Sequence, residues 1–149
     1  MTEFKFKKLL DKPEVASWRA IMQCFKTIFT YLEQGLVDDN CSVSRFEILF
    51  LLYFEPNIPA VKLSRKMHVT RGNMSTFLKR MESDHLIKTT LPKGRKRPVY
   101  NLTTKGQNFF EKIFPEHINR VEKICPILSP ATIKKLSMTQ TVGLSNRKD

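Results

Sequence analysis

At 149 residues, 41% of them hydrophobic, the chain is long enough to bury one core of ordinary size. Its 26 Lys and Arg outweigh 14 Asp and Glu, for a formal charge of +12 and a pI of about 9.9. That balance favours an acidic partner, either nucleic acid or an anionic membrane surface. The longest apolar run, Ile48 to Phe54, is a fraction of the roughly 20 residues a bilayer-spanning helix needs. The opening MTEFKFKKLLDK lacks the apolar stretch of a signal peptide, so a cytoplasmic protein with no membrane partner is expected. Cys24, Cys41 and Cys125 are odd in number and far apart, which excludes a disulfide framework or a C-x-x-C pair and makes buried free thiols the default.

In chain order, residues 1–12 read as a short arm whose Phe4, Phe6, Leu9 and Leu10 can pack on a neighbour. Asp11 is placed to cap a helix starting near Pro13, since proline is tolerated in a first turn. From Val15 to Leu32 apolar residues recur three and four apart, the period of a helix with one apolar face. Gly35 and the run Asp38-Asp39-Asn40 are expected to end it. Ser44, three residues before Glu47, predicts a capping box ahead of a second helix that is apolar almost all round and therefore central. Pro56 and Asn57 stop that helix.

A short helix over about Pro59 to Met67 follows, then a tight turn, His68-Val69-Thr70. Thr70 can cap a further helix reaching about Asp84. Met74, Phe77, Leu78 and Met81 fall on its inward side, Arg71, Asn73, Ser75, Thr76, Lys79 and Arg80 on its outward side. Ile87 to Leu91 and Val99 to Leu102 are β-prone runs joined by PKGRKRP, a hairpin whose tip is too basic for a core element. Thr103 or Thr104 opens a long helix in which Pro115 predicts a kink or a break. Ser129-Pro130 starts a final short helix, and after Gly143 the tail LSNRKD is expected to fray.

Charge is concentrated in the middle of this order. From Ile58 to Gly106 twelve Lys and Arg stand against Glu82 and Asp84, a net +10 of the chain's +12. Such local charge, on two short helices and a hairpin, points to a polyphosphate surface.

The order of elements and the residues VSRFEILFLL, AVKLSRKMHVTRGNMSTFLKRMESDHLI and PVYNLTTKG resemble the MarR-type winged helix-turn-helix regulators over about residues 13–138. The segment GRKRPVYNLTTKG is also similar to the wing of PadR-type regulators. The resemblance implies a mainly α fold with a small β-hairpin wing (α+β), a winged helix-turn-helix with flanking dimerisation helices. As one domain over 1–149, it divides into an arm and dimerisation helix (1–38), the winged helix-turn-helix (41–103) and C-terminal dimerisation helices with a tail (104–149). It further implies a homodimer formed by the first and last helices. Each subunit then places one recognition helix, Thr70 to Arg80, in a major groove, and a wing, Lys93 to Arg97, at the minor groove or the phosphates beside it. Many members carry an aspartate two residues before the wing arginine. Here Lys93, Gly94, Arg95, Lys96 and Arg97 form the tip, which leaves open which arginine enters the groove. The C-terminal helix looks short, so the dimer is expected to lean on the Trp18 and Phe25 face and the arm.

Arg71, Asn73, Ser75 and Thr76 are residue types that read base edges or phosphates, and Lys79 and Arg80 suit phosphates. Gly72 either lets the backbone approach DNA or belongs to the turn. His68, His85 and His117 lie far apart, with no metal-ligand spacing, phosphate-binding glycine loop or nucleophile elbow, so no catalytic residue, metal site or cofactor is expected. By family resemblance a small aromatic or anionic ligand could sit near Trp18, Phe25, Phe46 and Phe50, although an apolar stripe is more often core. An oxidant-sensing thiol could be Cys24, which its apolar neighbours make a buried one, or Cys41, the better exposed of the two. The reading is a dimeric, sequence-specific regulator of transcription, more often repressor than activator by resemblance, bound to a near-palindromic double-stranded operator. The alternatives are a winged-helix protein-interaction module and a nonspecific architectural DNA binder.

Overall fold

The structure, a computed structural model, describes residues 2–145, with side-chain surroundings from 6 to 139. The element order is α1 (Thr2–Leu10), α2 (Pro13–Asp38), α3 (Val43–Phe54), α4 (Ala60–Lys66), α5 (Arg71–Ser83), β1 (Ile87–Thr90), β2 (Val99–Leu102), α6 (Thr104–Ile124) and α7 (Pro130–Ser145). The two strands pair antiparallel, Ile87 opposite Leu102 and Thr90 opposite Val99. This is the mainly helical fold with a β-hairpin wing that the sequence implied.

The core forms around α3. Ile48, Leu49 and Leu52 are fully buried there, and Leu63 of α4, Met74, Leu78 and Met81 of α5, and Phe110 and Ile113 of α6 close over them. Phe50, Tyr53 and Phe54 remain partly exposed, so α3 is central but not buried all round.

The arm is a helix. Its Phe6, Leu9 and Leu10 face solvent, and the side chain of Phe4 lies outside the described residues. Helix α2 is capped at Lys12 and not by Asp11. The residue before Pro13 is held extended, at φ −66° and ψ 134°, with no side-chain cap bond. Gly35 does not end α2. It is buried beneath Arg120 of α6, where a Cβ would stand 2.5 Å from Arg120 Cδ. The helix stops three residues later because Asn40 turns left-handed (φ 55°) and the Cys41 N–H reaches back to the Leu36 carbonyl at 2.8 Å.

That turn also decides the next cap. Ser42, at φ −96° and ψ 159°, accepts the Arg45 N–H at 3.2 Å, so Ser44 lies inside the first turn and forms no capping box with Glu47. Helix α6 runs through Pro115 without a break. The carbonyl that loses its partner is that of Glu111, which with Pro115 lies on the exposed side, where water can replace the missing N–H. Helix α7, its start capped by Ser129 accepting the Thr132 N–H at 3.2 Å, is longer than expected and includes Gly143. Of the tail LSNRKD, residues 146–149 lie outside the described residues. None of the helices, among the described residues, is long and apolar enough to cross a membrane.

The junction between wing and α6 is pinned by Thr103. Its hydroxyl donates to the His85 carbonyl at 2.6 Å and accepts the Gly106 N–H at 3.0 Å, which draws Gly106 against the Leu86 backbone. A Cβ on Gly106 would overlap the Leu86 carbonyl oxygen and stand 2.9 Å from its carbon. Neither is a side-chain end that can swing away. Gly106→Ala is therefore expected to destabilise the fold by at least about 2 kcal/mol. Thermal melts at matched protein concentration should read this as a fall of roughly 5 °C or more; an unchanged melt would refute the packing described here.

Candidate nucleic-acid interface

Three turns of chain set up the basic surface. Helix α4 ends at Met67, and His68 takes a left-handed conformation (φ 54°) that redirects the backbone. Thr70, extended at φ −68° and ψ 156°, then accepts the Asn73 N–H at 3.2 Å and starts α5. With Met74, Leu78 and Met81 buried, the helical period leaves Asn73, Ser75, Thr76, Lys79 and Arg80 exposed, and Arg71 is exposed at the first position of the helix.

The hydrogen bonds sort these side chains. Thr70 is the cap, and Thr76 donates its hydroxyl to the Gly72 carbonyl at 3.1 Å. Asn73 and Ser75 have no side-chain partner among the described residues. Gly72 sits inside the first turn of α5 with open space around it; the nearest atom to a built Cβ is Thr70 Oγ1 at 4.0 Å.

The wing is held at its root and open at its tip. Asn57 (φ 63°) donates its backbone N–H to Asn101 Oδ1 at 2.9 Å, and Asn101 Nδ2 returns a bond to Asn57 Oδ1 at 3.1 Å. Beside them the Tyr100 N–H reaches the Ile58 carbonyl at 2.9 Å, adding a bridge to the hairpin edge. At the tip Gly94 adopts φ 82°, which closes a turn with the Arg95 N–H on the Pro92 carbonyl at 3.0 Å. Lys93, Arg95, Lys96 and Arg97 all project into solvent.

Ion pairs divide the cationic residues into two sets. Lys62, at 3.0 Å, and Lys66 both hold the Glu55 carboxylate, which Lys66 and then Lys62 keep below the usual carboxylate range. Arg45 of α3 pairs with Asp84, and Lys105 donates to the Asp84 carbonyl at 2.8 Å. Arg65, Arg71, Lys79, Arg80, Lys88 and the four wing cations have no such partner among the described residues. The uncompensated charge thus lies along α5 and the hairpin, with Arg65 of α4 added to it. Arg65 and Lys88 were not singled out from sequence, because only the pairing of their neighbours Lys62, Lys66 and Lys105 distinguishes them.

A second feature lies behind this surface. A cavity of about 380 Å³ opens between α2, α3 and α6, with Phe29, Leu32, Phe46 and Phe50 among its walls. Of the four residues expected near a ligand, Phe46 and Phe50 line it, whereas Trp18 and Phe25 stand elsewhere on α2, exposed. Two polar groups complete the lining, Glu47 and His117. His117 is buried with its ring centroid 4.1 Å from that of Phe46, and its Nδ1 has no hydrogen-bond partner among the described residues. Burial, and then the nearby Arg120 guanidinium, hold its imidazole below the usual range, so it is neutral at pH 7.

The thiols reverse the expected order. Cys24 is exposed, because the apolar neighbours that suggested burial, Ile21, Met22 and Phe25, are themselves exposed among the described residues. Cys41 is buried in the α2–α3 corner, and burial lifts its thiol to about 11. A thiol so protonated is a poor nucleophile at neutral pH, so Cys41 is not the better exposed redox candidate.

A helix-turn-helix with an uncompensated basic second helix, followed by a basic two-stranded wing, defines the winged helix-turn-helix class. The sequence pattern of the MarR family matches residues 41–96, the span from Cys41 to the wing tip. The chain is 21% identical over 130 residues to the transcriptional regulator MhqR of Bacillus subtilis, covering 86% of this chain and 90% of that one. Its fold is similar to that of AbsC, a MarR family transcriptional regulator from Streptomyces coelicolor (TM-score 0.77, 19% identity, 89% of this chain and 94% of that one). It is also similar to that of Sco3205, a MarR family regulator of the same organism in complex with DNA (TM-score 0.76, 19% identity, 93% and 94%). A further similar fold is that of NadR in complex with 4-hydroxyphenylacetate (TM-score 0.69, 20% identity, 87% and 92%).

With its thiol lifted from 9.0 to about 11, Cys41 is expected to react with a disulfide reagent at pH 8 about a hundredfold or more slowly in the native protein than in denaturant. Stopped-flow labelling with mass-spectrometric mapping checks this; equal rates would place Cys41 at the surface.

Proposed function

We propose that the protein is a dimeric, sequence-specific double-stranded-DNA-binding regulator of transcription that acts as a repressor in the cytoplasm and responds to a small ligand. The observation that carries the DNA reading is the segregation of charge. Lys62 and Lys66 share the Glu55 carboxylate and Arg45 pairs with Asp84, while the cations on the outward face of α5 and on the wing have no ion-pair partner among the described residues. Free cations on one face are what release counterions from a duplex.

In this reading α5 lies in a major groove. Arg71 at its N-terminal end grips a guanine edge, Asn73 and Ser75 read neighbouring positions, and Lys79 and Arg80 meet phosphates. Thr70 and Thr76 contribute through the order they impose on the first turn. Lys93, Arg95, Lys96 and Arg97 reach the adjacent minor groove or its phosphates.

The dimer accounts for apolar surface that one chain leaves uncovered. Phe6 and Leu9 of α1, Trp18 and Phe25 of α2, and Ile133 and Leu136 of α7 are all exposed. Exposed apolar side chains in such number mark an interface. Two-fold symmetry then calls for a near-palindromic operator with half-sites about one helical turn apart. The α2–α3–α6 cavity is the ligand site, at the junction of the interface helices and the DNA-binding lobe.

Titration against two fluorescent duplexes, one from upstream of the protein's own gene and one scrambled, at low and physiological salt, tests the reading. Preference for the upstream duplex is expected to survive at physiological salt. Equal, steeply salt-sensitive binding would indicate an architectural binder, and absence of binding a protein-interaction module. Arg71→Ala or Asn73→Ala is expected to cost about 1–3 kcal/mol of specific affinity and relax preference at one base pair. Arg95→Ala with Arg97→Ala should weaken all duplexes and lower the salt slope by about 2.

A further inference from the structure

The chemistry of the α2–α3–α6 cavity restricts what can occupy it. About 380 Å³ suits a molecule of one or two rings, and the aromatic faces of Phe29, Phe46 and Phe50 are among its walls. Only two lining residues can carry charge, Glu47 and His117, and neither offers a cation at pH 7.

Glu47 forms no hydrogen bond or ion pair among the described residues. Burial pushes its carboxyl above the usual range, and the charge acting against that shift is on His68, in the helix-turn-helix turn. His117 Nδ1 is buried without a partner among the described residues, and neutral imidazole can present a lone pair there. The nearest strong cation, Arg120, is not part of the lining. It is committed to Asp39 at 2.7 Å, with Glu116 at 4.0 Å.

An anion entering this space would desolvate against a carboxylate with no positive group to receive it. An ammonium would meet an unpaired carboxylate, an unpaired nitrogen acceptor and several aromatic faces, each of which attracts a cation.

We infer that the cavity selects a lipophilic cation, an aromatic ammonium of one or two rings, whose N–H groups donate to the Glu47 carboxylate and His117 Nδ1. The inference rests on the proposed ligand role of the cavity and names the ligand class. It departs from the anionic option that the sequence left open.

Calorimetric titration of the full-length protein with naphthylmethylammonium, naphthylmethanol and naphthylacetate holds the ring constant and varies the charge. The ammonium is expected to bind at least about tenfold more tightly than the acetate, the ratio of one half-buried charge interaction. Glu47→Gln should erase that preference while leaving the alcohol unaffected. His117→Phe should weaken the ammonium severalfold, and it keeps the test available should the Gln variant not fold, which a thermal melt reports. Leu51→Trp, which fills the cavity, should abolish binding of all three. Equal or tighter binding of the acetate, lost in Leu51→Trp, would overturn the cation assignment and leave the cavity a ligand site. A preference unchanged in Glu47→Gln would overturn the role of Glu47. No binding of any of the three would overturn the ligand role itself, with the DNA reading still judged separately by the duplex titration.

Discussion

Met74, Leu78 and Met81 turn one side of α5 into the core, against α3, and the orientation of the basic surface depends on that packing. A helix that buries those three side chains presents the opposite face, carrying Asn73, Ser75, Thr76 and Lys79, to solvent, with Arg71 exposed at its first position. The left-handed turn at His68 and the Thr70 cap fix where the helix starts. The Asn57–Asn101 bonds and the Ile58–Tyr100 bridge fix the wing to the same body. Helix and wing are therefore carried by one continuous core.

A second constraint joins this body to the long helices. Arg120 of α6 crosses Gly35 of α2 and pairs with Asp39 at 2.7 Å, at the corner where α2 gives way to α3. Both side chains are only partly exposed, so each helps to compensate the charge of the other. The missing Cβ of Gly35 provides the room. Cys41, Phe46 and His117 all lie within or beside this corner, which places the cavity where any displacement of α2 relative to α3 would change its shape.

Much of the fold was legible because local chemistry and period agreed. The Met74–Met81 spacing, the Thr70 cap, the paired β-prone runs and the Thr103 start of α6 each needed only a few neighbouring residues to be read. The misses arose where a distant partner decided. Ser42 and Ser44 are equally good caps in isolation, and the left-handed turn at Asn40 selects the first. Gly35 reads as a helix end until Arg120, far along the chain, is seen lying over it. Cys24 sits in a stripe that periodicity marks for burial, but periodicity cannot say against what, and the described residues leave it exposed. Cys41 follows a polar run that suggests exposure, yet the backbone bond to Leu36 folds it inward. The polar lining of the cavity, Glu47 with His117, joins residues from two helices that no local pattern connects.

The separation of the two faces of α5 has a consequence for how such a protein changes over generations. Its outward side chains hold none of the core together; the side chains of Asn73 and Ser75 have no hydrogen-bond partner among the described residues, and that of Thr76 is tied to its own helix. Exchange of these residues alters what the surface recognises at little cost to folding, since exposed substitutions away from caps and cores are nearly neutral. The inward methionines are held by packing and are not free to vary in the same way. A duplicated gene could thus acquire a new target through a handful of outward substitutions on an unaltered scaffold, with target choice and fold maintenance answering to separate selective pressures.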